Sequence, residues 1–225
     1  MGGVFIGDVE FHWINHSTIL LDGSKSILVD PFSDVMDGSY GVKDIIVSSH
    51  SHFDHFDPEM IKKHSDKDSV LLAHKSCDTS SFNFEARLVE AGRMELVNGV
   101  PFRFVEAYNN KRFRNPGEPF HPKGSGMGFV AELDGLKVYY AGDTDFVDEM
   151  RALGKESIDV AILPVGGTYT MDTKDALEAV KSIRPNYVIP IHYNFIDGTE
   201  ADVEEFKRKV ESSTDAVVKI VKPDN

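Results

Sequence analysis

Polar and apolar side chains alternate over residues 9–14, which predicts a strand with one buried face. Residues 17–22 predict a second strand, and the Asp22-Gly23 pair turns it into a third over 26–30. Pro31 ends that strand, because proline lacks a ladder N–H and drives the preceding residue into an extended conformation. Residues 33–43 read as loop, and the apolar run at 44–49 as a buried strand. Asp57-Pro58 predicts a capped helix that is short, ending near His64. A strand follows at 69–73; residues 75–91 are ambiguous, with a weak helical stripe near Phe84, Leu88 and Val89. Residues 93–97 and 100–107 predict a hairpin about Asn98-Gly99. Residues 108–126, rich in proline and glycine, predict a long loop, and a loop of that length in a compact domain points to function or disorder.

The second half is more regular. Strands are predicted at 129–133 and 136–141 about Asp134-Gly135, a helix at 146–153, a strand at 159–163 and a tight loop at 165–167. A capped amphipathic helix follows over 172–183, with Ala176, Val180 and Ile183 on one face. A strand at 187–191, a charged helix at 202–212 and a strand at 216–221 close the chain. The first half is therefore strand-rich and the second alternates strand and helix. Two sheets packed face to face, with helices covering the outside, satisfy the layer rule for this α/β (α+β) pattern. No linker or low-complexity segment interrupts the chain, so residues 1–225 are expected to form a single domain.

Hydrophobic content of 41% and charged content of 27% are ordinary for a soluble globular protein. The net charge of −13 argues against a nucleic-acid backbone or an anionic membrane surface as partner, since both require clustered Lys and Arg. Cys77 is the one cysteine, which excludes an intramolecular disulfide and a cysteine-rich metal site. No window reaches the length of an apolar membrane span, the first residues lack a basic leader region, and Gly2 lacks the Ser or Thr of a myristoylation signal. The expected location is cytoplasmic and the expected partner a small-molecule substrate, with a homo-oligomer left open.

The chemistry concentrates in His50-Ser51-His52-Phe53-Asp54-His55, which reads H-x-H-x-D-H directly after the strand at 44–49. Residues two apart on an extended segment project to one side, so His50 and His52 can share one ion. Asp54 and His55 belong to the turn and can address a second position. Imidazole with carboxylate suits zinc, and also manganese, nickel or iron. His121 in the long loop, Asp143 after the strand at 136–141, and His192 after the strand at 187–191 complete a seven-ligand set. Taken singly, each has a plainer alternative: a loop histidine, a helix cap and a buried core imidazole.

These motifs resemble the metallo-β-lactamase fold superfamily, in its compact metal-dependent hydrolase branch of ascorbate-6-phosphate lactonase-like proteins. The resemblance is carried by the H-x-H-x-D-H turn, Gly142-Asp143-Thr144, the loop from Gly166 to Asp172, Pro190-Ile191-His192-Tyr193, Asn15-His16-Ser17 and Asp30-Pro31-Phe32, and spans essentially the whole chain. It implies a four-layer αββα sandwich with two divalent metal ions at one edge, most plausibly zinc. One site would be His50, His52 and His121. The other would be Asp54, His55 and His192, with Asp143 bridging. The chain departs from many relatives after Ala107-Tyr108, where Asn109 stands in place of a histidine ligand, and His121 takes that role.

The mechanism expected from this set is attack of a metal-bridging hydroxide on an ester, lactone or phosphodiester, with Asp54 orienting the nucleophile. Asp30, Asp172 and His16 are the candidate supports around the ligands. Asn109, Arg112, Arg114, Lys123 and Tyr193 are the candidate substrate contacts, and with Lys111 the basic residues of the 111–123 segment suggest an anionic substrate. Other readings are a nuclease of the same superfamily, which the charge disfavours, and a metal-binding protein without turnover. A third, an iron oxygen-reducing protein, would carry Glu where this chain has His52.

Overall fold

The computed structural model describes residues 2–36 and 40–223. Residues 37–39, part of the loop expected over 33–43, lie outside the described residues. Two seven-stranded sheets form the centre of the molecule. The first contains β1 (Val4–Ile6), β2 (Val9–Asn15), β3 (Thr18–Asp22), β4 (Ser26–Val29), β5 (Ile45–Ser48), β6 (Val70–His74) and β7 (Glu85–Val89), in that spatial order. Its first four strands are antiparallel and the last four parallel. The chain then forms β8 (Met94–Val97) and β9 (Val100–Ala107), a small separate hairpin β10 (Phe113–Asn115) and β11 (Glu118–Pro119), and β12 (Gly126–Leu133), β13 (Leu136–Tyr140), β14 (Val160–Pro164), β15 (Tyr187–Ile191) and β16 (Val217–Val218). The second sheet runs β16-β15-β14-β13-β12-β9-β8, so it repeats the pattern of one parallel and one antiparallel half.

Alternation along β5 shows how the layers form. Ile45 and Val47 enter the main core, which both sheets share, while Ile46 faces a smaller cluster with Leu28, Leu71 and Ile61. Ile61 belongs to α1 (Pro58–Lys63), which covers that outer face. Asp57 accepts from the N–H groups of Glu59 and Met60, and Pro58 occupies the first turn, where it loses no hydrogen bond. On the second sheet, α3 (Thr173–Ile183) buries Ala176, Ala179, Val180 and Ile183, and α4 (Val203–Ser213) buries Phe206 and Val210. The short α2 (Met150–Leu153) packs beside α3. The result is the four-layer αββα sandwich of the metallo-β-lactamase type. Among the described residues no helix is long and apolar enough to cross a membrane.

The hairpin signals hold. Asn98-Gly99 and Asp134-Gly135 both take positive φ at both residues (51° and 86°, 50° and 79°), the conformation of a tight primed turn. Two expectations are corrected and one ambiguity is resolved. The ambiguous stretch forms a strand at 85–89, because parallel pairing with β6 supplies backbone partners that outweigh the weak helical stripe. The helix expected from 146 starts at Met150, because Thr144 and Asp145 hold the 108–112 loop. The closing strand shortens to two residues.

Strand ends converge on one edge. β4 delivers Asp30, β5 delivers His50, β13 leads to Asp143 and β15 to His192. The sheets meet there through a bridge between His50 and Gly126, and the Met127 N–H donates to the Ser49 carbonyl at 3.0 Å.

Candidate metal centre

Six segments meet at this edge: the β2–β3 turn, the end of β4, the turn after β5, the loop between β11 and β12, the loop after β13 and the end of β15. His16, Asp30 and His192 all take left-handed backbone conformations, with φ of 49°, 47° and 56°. Such conformations cost about 1–3 kcal/mol each for non-glycine residues, so the surrounding structure must hold them. Part of that hold is direct, since the His192 N–H donates to the His16 carbonyl at 2.9 Å. Gly142 (φ +68°) places Asp143: a Cβ there would lie 2.7 Å from the Met127 carbonyl oxygen, a contact no side chain can make.

Asp143 lies at the centre. Its Oδ2 is 3.4 Å from His55 Nε2, 3.4 Å from His121 Nε2 and 3.2 Å from His192 Nε2. The ring nitrogens of His50, His52 and His121 cluster within 4.8 Å of one another, as do donor atoms of His50, His55 and Asp143, and of His16, His55 and His192. His50 Nε2 and His52 Nδ1 are 2.9 Å apart. Asp54 Oδ2 lies 3.7 Å from His55 Nε2. All seven residues singled out by the sequence are thus brought to one place.

The far sides of the rings are occupied by supports. Asp30, fully buried, accepts from the Ser49 N–H at 2.7 Å, the Ser49 hydroxyl at 2.7 Å, His55 Nδ1 at 2.8 Å and the Tyr140 hydroxyl at 2.6 Å. The Ser49 oxygen in turn accepts from His50 Nδ1 at 3.0 Å. Asn109 Oδ1 accepts from both the N–H and Nδ1 of His121, each at 2.8 Å, while its amide donates to the Tyr169 carbonyl at 3.0 Å. In His50, His55 and His121 the Nδ1 atom is thereby tied down, which leaves Nε2 as the nitrogen turned toward the centre. His55 Nε2 is buried with no hydrogen-bond partner. Imidazoles oriented from behind, with bare nitrogens converging on a carboxylate, fit the requirements of bound metal ions.

The electrostatics agree. Burial, reinforced by His192, holds His16 down at about 4, and burial holds His121 down at about 4. Burial and the neighbouring His55 also push His50 well below its ordinary value. These rings are neutral near pH 7, the form that can coordinate. Burial opposes charge on His55, but Asp143 and Asp30 outweigh it and raise its pKa. Burial likewise opposes ionisation of Asp143 and Asp54. The partners His192 and His55 nevertheless keep Asp143 well below the usual carboxylate range, and the hydrogen bond from His16 helps to bring Asp54 to about 2. Positive charge is favoured at His55, between Asp143 and Asp30, and disfavoured at His16, His50 and His121.

Not every candidate reaches the centre. Asp172 caps α3 by accepting from the Lys174 and Asp175 N–H groups, and its other oxygen meets Arg112 at 3.2 Å, so it supports the helix and not an imidazole. Tyr193 is buried and stacks on Trp13 at a centroid distance of 4.6 Å, in the core and away from substrate. Asn109 orients His121 and is buried behind it. Arg112 is bound to Asp145, Asp175, Asp172 and the Gly167 carbonyl, and Lys123 to Glu149. Arg114 does line the cleft that opens over the cluster, a space of about 490 Å³ also walled by Phe53, Phe120, Tyr169 and Ile196. Ser49, Tyr140 and Asp145 were not anticipated. Ser49 sits immediately before the H-x-H-x-D-H turn, and only the fold shows that Tyr140 reaches Asp30.

Asp30→Ala is expected to strip His55, Ser49 and Tyr140 of their shared acceptor and to weaken metal binding by about 10–100-fold. Competition with a chromophoric chelator measures this; unchanged affinity in a folded variant would remove Asp30 from the support of the centre.

A family model described as a beta-lactamase superfamily domain matches residues 10–192. The UPF0173 metal-dependent hydrolase of Pelotomaculum thermopropionicum is 33% identical over 221 residues, covering 94% of this chain and 96% of its own. That of Methanoregula boonei is 34% identical over 214 residues, covering 94% of both chains. Among solved structures, Igni18, a metallo hydrolase from the hyperthermophilic archaeon Ignicoccus hospitalis, matches with a TM-score of 0.79 and 28% identity over 96% of this chain and 95% of its own. The chain therefore belongs to the beta-lactamase superfamily, in the family of UPF0173 metal-dependent hydrolases.

Proposed function

We propose that this protein is a binuclear metal-dependent hydrolase that cleaves an ester, lactone or phosphodiester bond in a small molecule. The observation that carries this reading is Asp143 Oδ2, within 3.2–3.4 Å of imidazole nitrogens from three separate segments. His50, His52 and His121 would hold one ion, Asp54, His55 and His192 the other, and Asp143 both. Zinc suits the donors best, with manganese, nickel and iron as the other candidates. Two such ions, when bound, make water a nucleophile at neutral pH and polarise the bond to be cleaved.

The chain's own residues supply orientation. His16 is neutral and donates from Nε2 to Asp54 Oδ2 at 3.0 Å, which fixes the carboxylate. Asp54 is ionised throughout the neutral range and can accept a hydrogen bond from the attacking water, setting its direction. Phe53, Phe120, Tyr169 and Ile196 wall the cleft and limit access of bulk water to the reacting bond. The space of about 490 Å³ falls within the range of small-molecule sites. The proposal takes residues 1–225 as one domain acting in the cytoplasm. The core shared between the two sheets supports the single domain.

The test is removal and return of metal. Hydrolysis of a panel of aryl esters, lactones and bis-aryl phosphodiesters should disappear on chelation and return on adding zinc or manganese. Folded, metal-loaded protein inactive on the whole panel would contradict the reading.

A further inference from the structure

Four basic side chains fall within residues 111–123, but the structure treats them unequally. Lys111 pairs with Asp175 at 2.6 Å. Arg112 lies among Asp145, Asp172 and Asp175, and Lys123 against Glu149 and the Tyr108 ring. Each of these charges is already paired with a carboxylate of the protein. Arg114 differs: no described carboxylate pairs with it, and its guanidinium stands over the Phe120 ring, 5.6 Å from the centroid. It is also the one Lys or Arg among the described residues lining the cleft. The β10–β11 hairpin carries it, so a separate two-stranded unit projects this charge from the rim.

The rest of the lining divides sharply. At the floor are Asp54, Asp143 and the histidines, and on the walls Phe53, Phe120, Tyr169 and Ile196. The Phe120 and Tyr169 rings meet edge to face at 4.9 Å, which gives the wall a fixed aromatic surface. A ligand that matches this cleft has its reacting group over the histidine cluster, an apolar or aromatic body along the walls, and an anion at the rim. A guanidinium stacked on an aromatic ring keeps its donor edge free for a carboxylate, sulfonate or phosphate oxygen.

We propose that Arg114 is a specificity-determining residue that selects substrates with an apolar body and a terminal anionic group. The inference rests on the hydrolase reading for the identity of the reacting group, but the charge selection is readable without turnover. An anion on this exposed guanidinium gains only a modest amount, because solvent screens the contact.

The experiment compares two fluorescent probes with the same aromatic frame, anionic 1-anilinonaphthalene-8-sulfonate and neutral N-phenyl-1-naphthylamine. Each is titrated into the protein as purified, into Arg114→Ala, and into Lys67→Ala, which removes the same charge from an exposed site elsewhere. The ratio of the two dissociation constants is expected to shift by about three- to tenfold against the sulfonate in Arg114→Ala. It should stay within about twofold of the wild-type ratio in Lys67→Ala, where only bulk charge has changed. An unchanged ratio in Arg114→Ala, an equal shift in both variants, or no binding of either probe to the wild type would overturn the proposal. Metal uptake by the same samples reports separately on the hydrolase reading: folded, metal-free protein that takes up no added zinc or manganese would sink that reading whatever the ratio does.

Discussion

Replacing Asp143 by alanine is expected to lower turnover by about a thousandfold or more, the equivalent of several kcal/mol of lost charge stabilisation. The reason is geometric. One oxygen of this carboxylate faces imidazoles of both proposed sites, at 3.4 Å from His121 on one side and 3.4 and 3.2 Å from His55 and His192 on the other. Without it, neither trio of ligands keeps its anionic member in common. Two cations held close together would then lack the shared anion that offsets their mutual repulsion, and the five histidine ligands, neutral when they coordinate, bring no charge to replace it. Metal content should fall from about two ions to one or fewer. The readouts are elemental analysis and steady-state kinetics on variant protein whose circular dichroism matches the parent. Retention of both ions and of turnover within about tenfold would show that Asp143 does not bridge.

Arg112→Ala should act on stability, not on substrate charge. Arg112 is bound to the fully buried Asp145 at 2.5 Å, to Asp175 at 2.6 Å and to Asp172 at 3.2 Å. Asp145 also accepts from the N–H groups of Asn110, Lys111 and Arg112, which fastens the loop that carries Asn109 beside the turn that carries Asp143. Deleting the guanidinium leaves a buried carboxylate without its cation, a change that costs about 3–5 kcal/mol. For a chain of this size the expected fall in melting temperature is roughly 10 °C. Arg112→Lys should recover little of it, because one ammonium cannot span three carboxylates and a carbonyl. Thermal unfolding decides. A melting temperature within about 2 °C of wild type would show that the cluster is solvated and contributes little.

The contrast between Arg112 and Arg114 marks where the sequence stops being legible. Both lie in one basic segment, and charge counting cannot separate a guanidinium enclosed by Asp145, Asp172 and Asp175 from one standing over Phe120. The partners lie 33 to 63 residues away, so only tertiary structure brings them together. Six of the seven proposed ligands were legible for the opposite reason: they sit at or just after the ends of apolar runs, and a period-two pattern fixes where a strand ends and which side chains can face the edge. The same logic exposed Asp30, at the end of β4. His121, in the long loop, was legible only through the family resemblance. Asp172 and Tyr193 misled because each also satisfies a local role. A carboxylate before an amphipathic helix caps it, and an aromatic after a buried strand packs into the core. The β7 segment stayed ambiguous because its strand character comes from pairing with β6, and five residues carry too little periodicity to reveal it. Asn109 was visible as a departure from a family motif, yet its task of orienting His121 follows only from the contact between them.

The most direct test of the account is the metal content of wild-type protein purified without chelators, measured by elemental analysis beside His50→Ala. The structure of the centre predicts about two equivalents of transition metal per chain, falling sharply in the variant. Folded wild-type protein with less than about half an equivalent, unable to take up zinc or manganese when supplied, would contradict the central claim that these histidines and carboxylates form a metal centre.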